Sequence, residues 1–325
     1  METNCILVRE IGSFAWTRKR LAPPAEDEVL VRVEVTGLCR TDLKIIRHGH
    51  RDLVLPRIPG EEVVGRIIAR GAAVDDFEVG DRVYVYPGIW CDRCAACRQG
   101  AQNLCREMRI MGFHRDGGFA GEVLAPARSL IPVPDALDPD TAVLAEPLSC
   151  CLNALELGRA EPGAQVGIWG AGPAGLLLAR AARAMGAAAI NIEPDPRRRS
   201  FADGLPAPED RRFDVCIVAV GAPEAYQDAL AHLAPRGRLV VFSGLLPQAD
   251  GVPLSFNQLH YYEQTLVGAY GCAYRHGVQA LAWLADGTIP VADMISHRLP
   301  LSDLETALRL VEKRESIKVL LYPEG

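Results

Sequence analysis

The sequence predicts a two-domain α/β protein, a β-rich domain followed by a doubly wound parallel sheet, and three observations predict it. The chain has 325 residues, more than one hydrophobic core usually serves. From Cys5 to about Val143, short β-type runs are broken by Gly and Pro. From about Leu148, apolar strands alternate with Ala/Leu-rich helical stretches, the texture of a parallel sheet covered by helices.

Taken in order, Val29-Leu-Val-Arg-Val-Glu-Val alternates as a half-buried strand does, and residues 63–68 and 82–86 follow in the same style. The second texture opens with Val166-Gly-Ile-Trp, a Gly-rich turn and a helix, then Ala189-Ile-Asn-Ile. Strands at 214–220 and 238–242 flank a helix over 223–233. An amphipathic helix at 301–313 precedes a last strand, Lys318-Val-Leu-Leu-Tyr. There is no internal repeat and no low-complexity segment.

Apolar residues make up 49% of the chain and charged residues 23%, ordinary for a globular protein. A net charge of −6 argues against nucleic acid or an anionic membrane surface as partner. No apolar run is long enough to span a bilayer, and Met1-Glu2-Thr3-Asn4-Cys5 does not open a signal peptide, so a cytoplasmic protein is expected.

Four of the ten cysteines, Cys91, Cys94, Cys97 and Cys105, give C-x2-C-x2-C-x7-C. A disulfide framework suits a small secreted domain, so the cluster reads as a metal site. Four thiolates satisfy a tetrahedral Zn²⁺ and leave no open position, which makes the zinc structural. An iron–sulfur site of the ferredoxin kind places its fourth cysteine three residues on and before a proline; here the gap is seven and Arg106 follows.

Gly170-Ala171-Gly172-Pro173-Ala174-Gly175 fits G-x-G-x-x-G between a strand and a helix. Gly170 permits the tight turn, Gly172 lets backbone approach a pyrophosphate, and Gly175 lets helix pack on strand, with the helix N-terminus toward the phosphates. Glu193 ends the next strand, eighteen residues after Gly175. An acid there accepts hydrogen bonds from the adenosine ribose and repels a 2′-phosphate, which favours NAD over NADP. Arg197, Arg198 and Arg199 weigh the other way, since an arginine there can hold a 2′-phosphate; a solvated helix start is their plainer reading.

These segments, with Gly37-Leu-Cys-Arg-Thr-Asp, Pro59-Gly-Glu-Glu-Val-Val-Gly, Gly80-Asp-Arg-Val, Gly112-Phe-His-Arg-Asp-Gly-Gly-Phe-Ala and Ala145-Glu-Pro-Leu, resemble the zinc-containing medium-chain dehydrogenases, in their sorbitol, threonine and polyol dehydrogenase branch. The resemblance implies a GroES-like catalytic domain at 1–147 and 286–325 that carries the cysteine lobe at 91–105. It implies a Rossmann NAD-binding domain at 148–285, an active site in the cleft between them, and a homodimer or homotetramer formed through the Rossmann domains. That family usually fits a helix, a strand and a second helix where only twenty residues separate Glu193 from Asp214, so the third strand and its crossover are expected to be missing or vestigial.

The resemblance places a catalytic zinc at Cys39, Glu61 and Glu146, with Glu61 standing where the family has histidine. Thr41 matches the hydroxyl that relays the substrate proton, Glu62 the following glutamate that approaches the metal, and Lys44 a histidine that extends the relay. Ser243, Gly244 and Leu245, with Gly268-Ala-Tyr-Gly271, fall where the nicotinamide half of the cofactor lies. Glutamate for histidine changes the ligand charge from −2 to −3, so a Zn²⁺ there carries −1 and is a poorer Lewis acid; Lys44 restores the balance if its ammonium lies close. Three readings follow: zinc on Cys39, Glu61 and Glu146; no catalytic zinc, with a cation paired to Glu61; or a nitrogen from His48 or His50, whose ordinary reading is solvent exposure.

His114 reads as a structural hydrogen-bonder, and Cys150, Cys151 and Cys216 as core thiols. Trp90 either lines the substrate pocket or packs on the lobe, and His276 is a candidate for a cofactor phosphate. The expected activity is reversible oxidation of a secondary alcohol with NAD⁺, on a polyol, cyclitol, sugar derivative or hydroxy-amino acid. The competing classes are an NAD-binding protein without turnover and a zinc-independent reductase. Relatives of the second kind usually lack the lobe and prefer NADPH.

Overall fold

The computed structural model describes residues 1–245 and 251–324. The chain divides into two compact units, Met1–Glu146 with Ala273–Gly325, and Pro147–Cys272.

The chain opens with an antiparallel hairpin, β1 (Glu2–Glu10) and β2 (Ser13–Arg20). Strand β3 (Glu28–Leu38) leads into helix α1 (Arg40–His48), then β4 (Glu62–Arg70) and β5 (Arg82–Val85). The cysteine lobe follows: β6 (Gly88–Ile89), the single turn α2 (Ala95–Arg98) and β7 (Arg109–Ile110), which pairs with β6. Strands β8 (Glu122–Pro126) and β9 (Leu130–Pro132) and the short α3 (Pro139–Ala142) complete this stretch. The alternation of β3 turns Val29, Val31 and Val33 onto Val63, Ile67, Val83, Val85 and Val123, one of two cores in this unit.

Helix α4 (Ala145–Gly158) leads to β10 (Gln165–Trp169), α5 (Pro173–Ala184), β11 (Ala188–Ile192), α6 (Pro196–Arg199), β12 (Gly204–Leu205), β13 (Phe213–Val218), α7 (Pro223–Ala231) and β14 (Leu233–Val241). Helix α8 (Phe256–Tyr261) and β15 (Thr265–Gly268) close the second unit. Among the described residues its sheet runs β12-β11-β10-β13-β14-β15, all parallel. Helices on the sheet explain why β10 and β13 are apolar almost throughout. The third strand is vestigial, as expected: β12 pairs only Gly204 with Asn191 and Leu205 with Ile192, and the four-residue α6 is what remains of its crossover.

The tail supplies α9 (Tyr274–Ala285), β16 (Ile295–Pro300), α10 (Leu304–Glu312) and β17 (Lys318–Tyr322). Strand β17 joins β3, so the sheet of the first unit reads β16-β17-β3-β4-β5-β9, with β8 also on β3. Its second core gathers Ile6, Val8, Ile46, Leu304, Leu308, Val319 and Leu321. The return to the first unit comes at Ala273, earlier than the 286 expected from sequence. The physical reason is α9: Gly277 lies against Ile131 and Tyr84, so closely that a Cβ there would stand 3.0 Å from Ile131 Cδ1, and Tyr274 Oη donates to Leu130 O at 2.8 Å.

Candidate functional site

Cys39 sits at the N-cap of α1, and a buried carboxylate fixes it there. Asp42 Oδ2 accepts from Cys39 N at 3.0 Å, and its Oδ1 accepts from Gly60 N at 3.2 Å. One side chain thus ties the start of α1 to the loop that carries Glu61. Strand pairing brings Glu62 opposite Gly37, and Thr36 Oγ1 donates to Glu62 O at 2.8 Å. The fully buried Glu62 carboxylate is met by an equally buried cation: Lys318 Nζ, at the start of β17, donates to Glu62 Oε1 at 2.5 Å and to Leu38 O at 3.3 Å. Gly37 makes room for this pair, since a Cβ there would lie 1.8 Å from Glu62 Oε2.

The electrostatics follow. Burial, reinforced by the Asp42, Glu62 and Glu61 carboxylates, holds the Cys39 thiol well above its ordinary range. Burial likewise pushes Asp42 up to about 6. Burial works to lower Lys318, but Glu62, Cys39 and Glu146 outweigh it and keep the ammonium charged. Asp42, Glu61, Glu62 and Glu146 therefore act around Cys39 and Lys318 as one strongly acidic cluster. Lys318 is the residue that sequence reasoning missed: it begins an apolar strand, and its partner lies 256 positions away. Lys44, expected to balance this charge, is half-buried on α1 and acts on His50. Thr41 lies half-buried in the first turn of α1.

Among the described residues, the group of three or more Cys, His, Asp or Glu whose ligand atoms all lie within 4.8 Å of one another is Cys91, Cys94, Cys97 and Cys105. Four thiolates about 2.3 Å from a central Zn²⁺ would stand roughly 3.8 Å apart; Cys94 and Cys97 sulfurs are 3.5 Å apart. Backbone N–H groups of Cys91 and Glu107 each approach Cys105 Sγ at 3.3 Å. Those of Cys97 and Arg106 hold the Cys94 thiol down at about 6. This lobe fits a structural zinc. Cys39, Glu61 and Glu146 offer acceptable zinc donors and an excess of negative charge, but their ligand atoms do not meet the 4.8 Å spacing. His48 is exposed, and His50 Nδ1 accepts from Asp52 N at 3.2 Å.

In the second unit, the predicted cofactor residues gather at the carboxyl ends of the parallel strands, where ligands of such sheets bind. After β10, Gly170 turns with φ 113°, a conformation open to glycine. Gly172 caps α5, and a Cβ on Gly175 would lie 2.1 Å from Gly170 O, so helix and turn touch through glycine alone. Pro173 and Ala174 open the helix. The Glu193 carboxylate is clamped at the end of β11: Oε2 accepts from Ala171 N at 2.9 Å and Oε1 from Asp195 N at 3.1 Å. The Arg198 guanidinium lies over Gly172, 3.3 Å from where a Cβ would be. Arg199 Nη1 donates instead to Glu193 O and Pro194 O, at 2.7 and 3.0 Å. Beyond β14, Ser243 N donates to Val218 O at 3.1 Å, Gly244 lies beside Gly221, and Leu245 packs on the sheet core.

Comparison with known proteins decides the family. Residues 25–135 match the alcohol dehydrogenase GroES-like domain, and residues 185–317 match the zinc-binding dehydrogenase family. Sorbitol dehydrogenase of Bacillus subtilis is 32% identical over 91% of this chain and 90% of its own. The chain belongs to the zinc-binding alcohol dehydrogenase family. L-galactonate-5-dehydrogenase of Escherichia coli is 29% identical over 97% of both chains. A zinc-binding dehydrogenase of Sinorhizobium meliloti, solved bound to NADP, superposes with a TM-score of 0.93 at 30% identity, covering 99% of this chain and 100% of that one.

Like its relatives, this dehydrogenase is an oxidoreductase that works with a nicotinamide dinucleotide and zinc. The other residues singled out in the sequence find structural places. His114 Nδ1 accepts from Ile110 N at 3.1 Å. Trp90 is buried edge-on against Tyr86 and beneath Arg128, whose guanidinium carbon is 4.3 Å from the ring centre. His276 is buried, with Nδ1 accepting from Ala273 N at 3.0 Å and Nε2 2.8 Å from Arg275 Nη1. Cys151 and Cys216 are buried and Cys150 half-buried. No helix among the described residues is long and apolar enough to cross a membrane.

Proposed function

We propose that this dehydrogenase oxidises a secondary alcohol on a hydroxylated carbon chain (a polyol, cyclitol, sugar derivative or hydroxy-amino acid) to the ketone, reducing NAD⁺ to NADH and releasing one proton. The observation that carries the cofactor choice is the Glu193 carboxylate, held by two backbone N–H groups at the end of β11. In that position it accepts hydrogen bonds from the adenosine ribose hydroxyls and repels a 2′-phosphate. The glycine turn and the N-terminus of α5 take the pyrophosphate, with Arg198 over Gly172 as its cation. The names of the sorbitol and L-galactonate relatives support the substrate class.

Cys39, Glu61 and Glu146 are the residues to hold a catalytic zinc. Among the described residues, Asp42, Glu61, Glu62 and Glu146 act with Cys39 and Lys318 as one acidic cluster, a setting that favours a metal cation beside Cys39. Zinc bound there supplies the electrophile that lowers the pKa of the alcohol. Thr41 passes the alcohol proton outward, Asp42 holds Cys39 in register with the Glu61 loop, and Lys318 pairs with the buried Glu62 side chain. A second reading, with zinc in the lobe alone and weak or altered turnover, draws on the spacing of the Cys39 trio.

Zinc content of the purified protein, measured with NADH formation over a panel of polyols, sugar acids and hydroxy-amino acids, separates the two. Two zincs per chain and turnover support the first reading; one zinc with cofactor binding and no hydride transfer overturns it. The dehydrogenase is further proposed to be a soluble cytoplasmic homodimer or homotetramer joined through its second unit.

A further inference from the structure

In the first unit, the surroundings of Glu61 hold a group of donors that the proposed chemistry does not use. The turn at residues 112–114 lies against Glu61: a Cβ on Gly112 would stand 3.5 Å from Glu61 Cγ. In the same turn Phe113 O accepts from Val54 N at 3.1 Å, and the Phe113 ring meets the His50 ring edge-on, with centroids 4.9 Å apart. One turn and one loop thus set His50 and His114 near Glu61. Thr41 and Lys44 are three positions apart on α1 and share a face of that helix.

Both imidazoles are held as donors. Burial lowers each below the usual histidine range and favours the neutral ring. His50 Nδ1 accepts from Asp52 N at 3.2 Å, and His114 Nδ1 accepts from Ile110 N at 3.1 Å. A neutral ring that accepts at Nδ1 carries its hydrogen on Nε2. Among the described residues neither Nε2–H has an acceptor, and neither nitrogen is sealed from solvent. The charges around them are mostly positive. Lys44 and Arg51 act on His50, and Arg109 and Arg57 on His114; the acid that acts on both is Asp52. Arg51 Nε meets the Asp52 carboxylate at 3.2 Å, and Arg57 is committed to Asp116 at 3.1 Å. Half-buried Lys44 makes no ion pair among the described residues.

We propose that Lys44 and the Nε2–H groups of His50 and His114 hold a carboxylate of the substrate, so that the alcohol oxidised beside Cys39 and Glu61 belongs to a sugar acid and not to a neutral polyol. Two N–H donors and one ammonium match the two oxygens and single charge of a carboxylate. A phosphate ester would bring a further negative charge beside Asp52. This assignment deepens the proposed oxidation and rests on it for turnover; binding alone reads the carboxylate site.

The whole protein is titrated calorimetrically, with NADH present, with matched acids and alcohols: gluconate with glucitol, galactonate with galactitol, idonate with iditol. NADH formation from NAD⁺ is measured on the same pairs. At least one acid is expected to bind, and to be oxidised by kcat/KM, about tenfold or more better than its alcohol. Lys44→Met, His50→Asn and His114→Asn each lower that acid-over-alcohol ratio by about tenfold, with the change in KM. Asparagine keeps an acceptor for Asp52 N or Ile110 N and removes only Nε2. Binding of no acid, alcohols equal to or better than their acids in every pair, or a ratio unmoved in all three variants overturns the carboxylate site and leaves the oxidation standing wherever an alcohol is turned over. Faster turnover of galactitol 1-phosphate than of every acid overturns it too. Acids that bind in preference to their alcohols, lose that preference in Lys44→Met and undergo no hydride transfer leave the site standing and fail the oxidation.

Discussion

Lys318 and Glu62 are each almost never found fully buried alone, and each is buried here because the other is. Removing one leaves the other charge in a dry site. Lys318→Met is expected to lose ~3–5 kcal/mol of stability. Lys318→Met with Glu62→Leu removes both charges and is expected to recover most of that loss, because an apolar pair of similar volume needs no compensation. Urea denaturation of the two variants checks this; equal losses would mean that the pair contributes packing and not charge balance. The neutral histidines His50 and His114 set a pH response of known sign. Burial lowers both below the usual histidine range, and each neutral Nδ1 accepts a backbone hydrogen bond. Their stabilisation is therefore present above the unfolded value of about 6.5 and is lost as pH falls below it. The melting temperature is expected to drop between pH 7.5 and 5.5, and to drop less in His114→Gln. At this scale the sequence was legible where chemistry is local: four cysteines within fifteen positions declare themselves by spacing alone. Lys318 was not legible, because a lysine opening an apolar strand looks like a solvated end until its partner on a distant strand is known.

Elements decide what those residues can reach. The turn between β10 and α5 was readable because glycine, strand and helix must occur in that order, and the structure sets them so. The vestigial β12 was readable by counting, since twenty residues cannot hold two helices and a strand. The affiliation of α9 was not: its apolar face does not say which core it joins, and only the contact of Gly277 with Tyr84 and Ile131 assigns it. The strand end that carries Glu193 supports a prediction at this scale. With the carboxylate clamped by Ala171 and Asp195, the proposed cofactor reading has Glu193→Ala remove the ribose acceptor and the repulsion of a 2′-phosphate while Arg198 and Arg199 remain. Initial-rate measurements are expected to show kcat/KM for NAD falling by about tenfold or more, the value of one lost charge-assisted hydrogen bond, while the value for NADP rises. A preference ratio unmoved by the substitution would place the ribose elsewhere.

For the molecule as a whole, the remaining question is how the parallel sheet ends. Among the described residues β15 is one edge of it, a row of backbone groups open to pairing, whereas the opposite edge is the two-residue β12, too short to recruit a partner strand. Beside β15, Phe256 is 77% exposed and Tyr261 75%, with Tyr262 also exposed. Exposed aromatic side chains on the segment that leads into an open edge are the composition of a protein interface. A second copy turned about a two-fold axis would set edge against edge and cover both sets of rings with one self-complementary patch, which a closed homodimer requires. Sedimentation is therefore expected to give a dimer or a dimer of dimers. Phe256→Glu with Tyr261→Glu should give monomers that retain the circular dichroism of the parent, because neither side chain belongs to a core. A parent that sediments as a monomer at micromolar concentration, or a double variant that still sediments as a dimer, would show that this edge is closed by something other than a second copy.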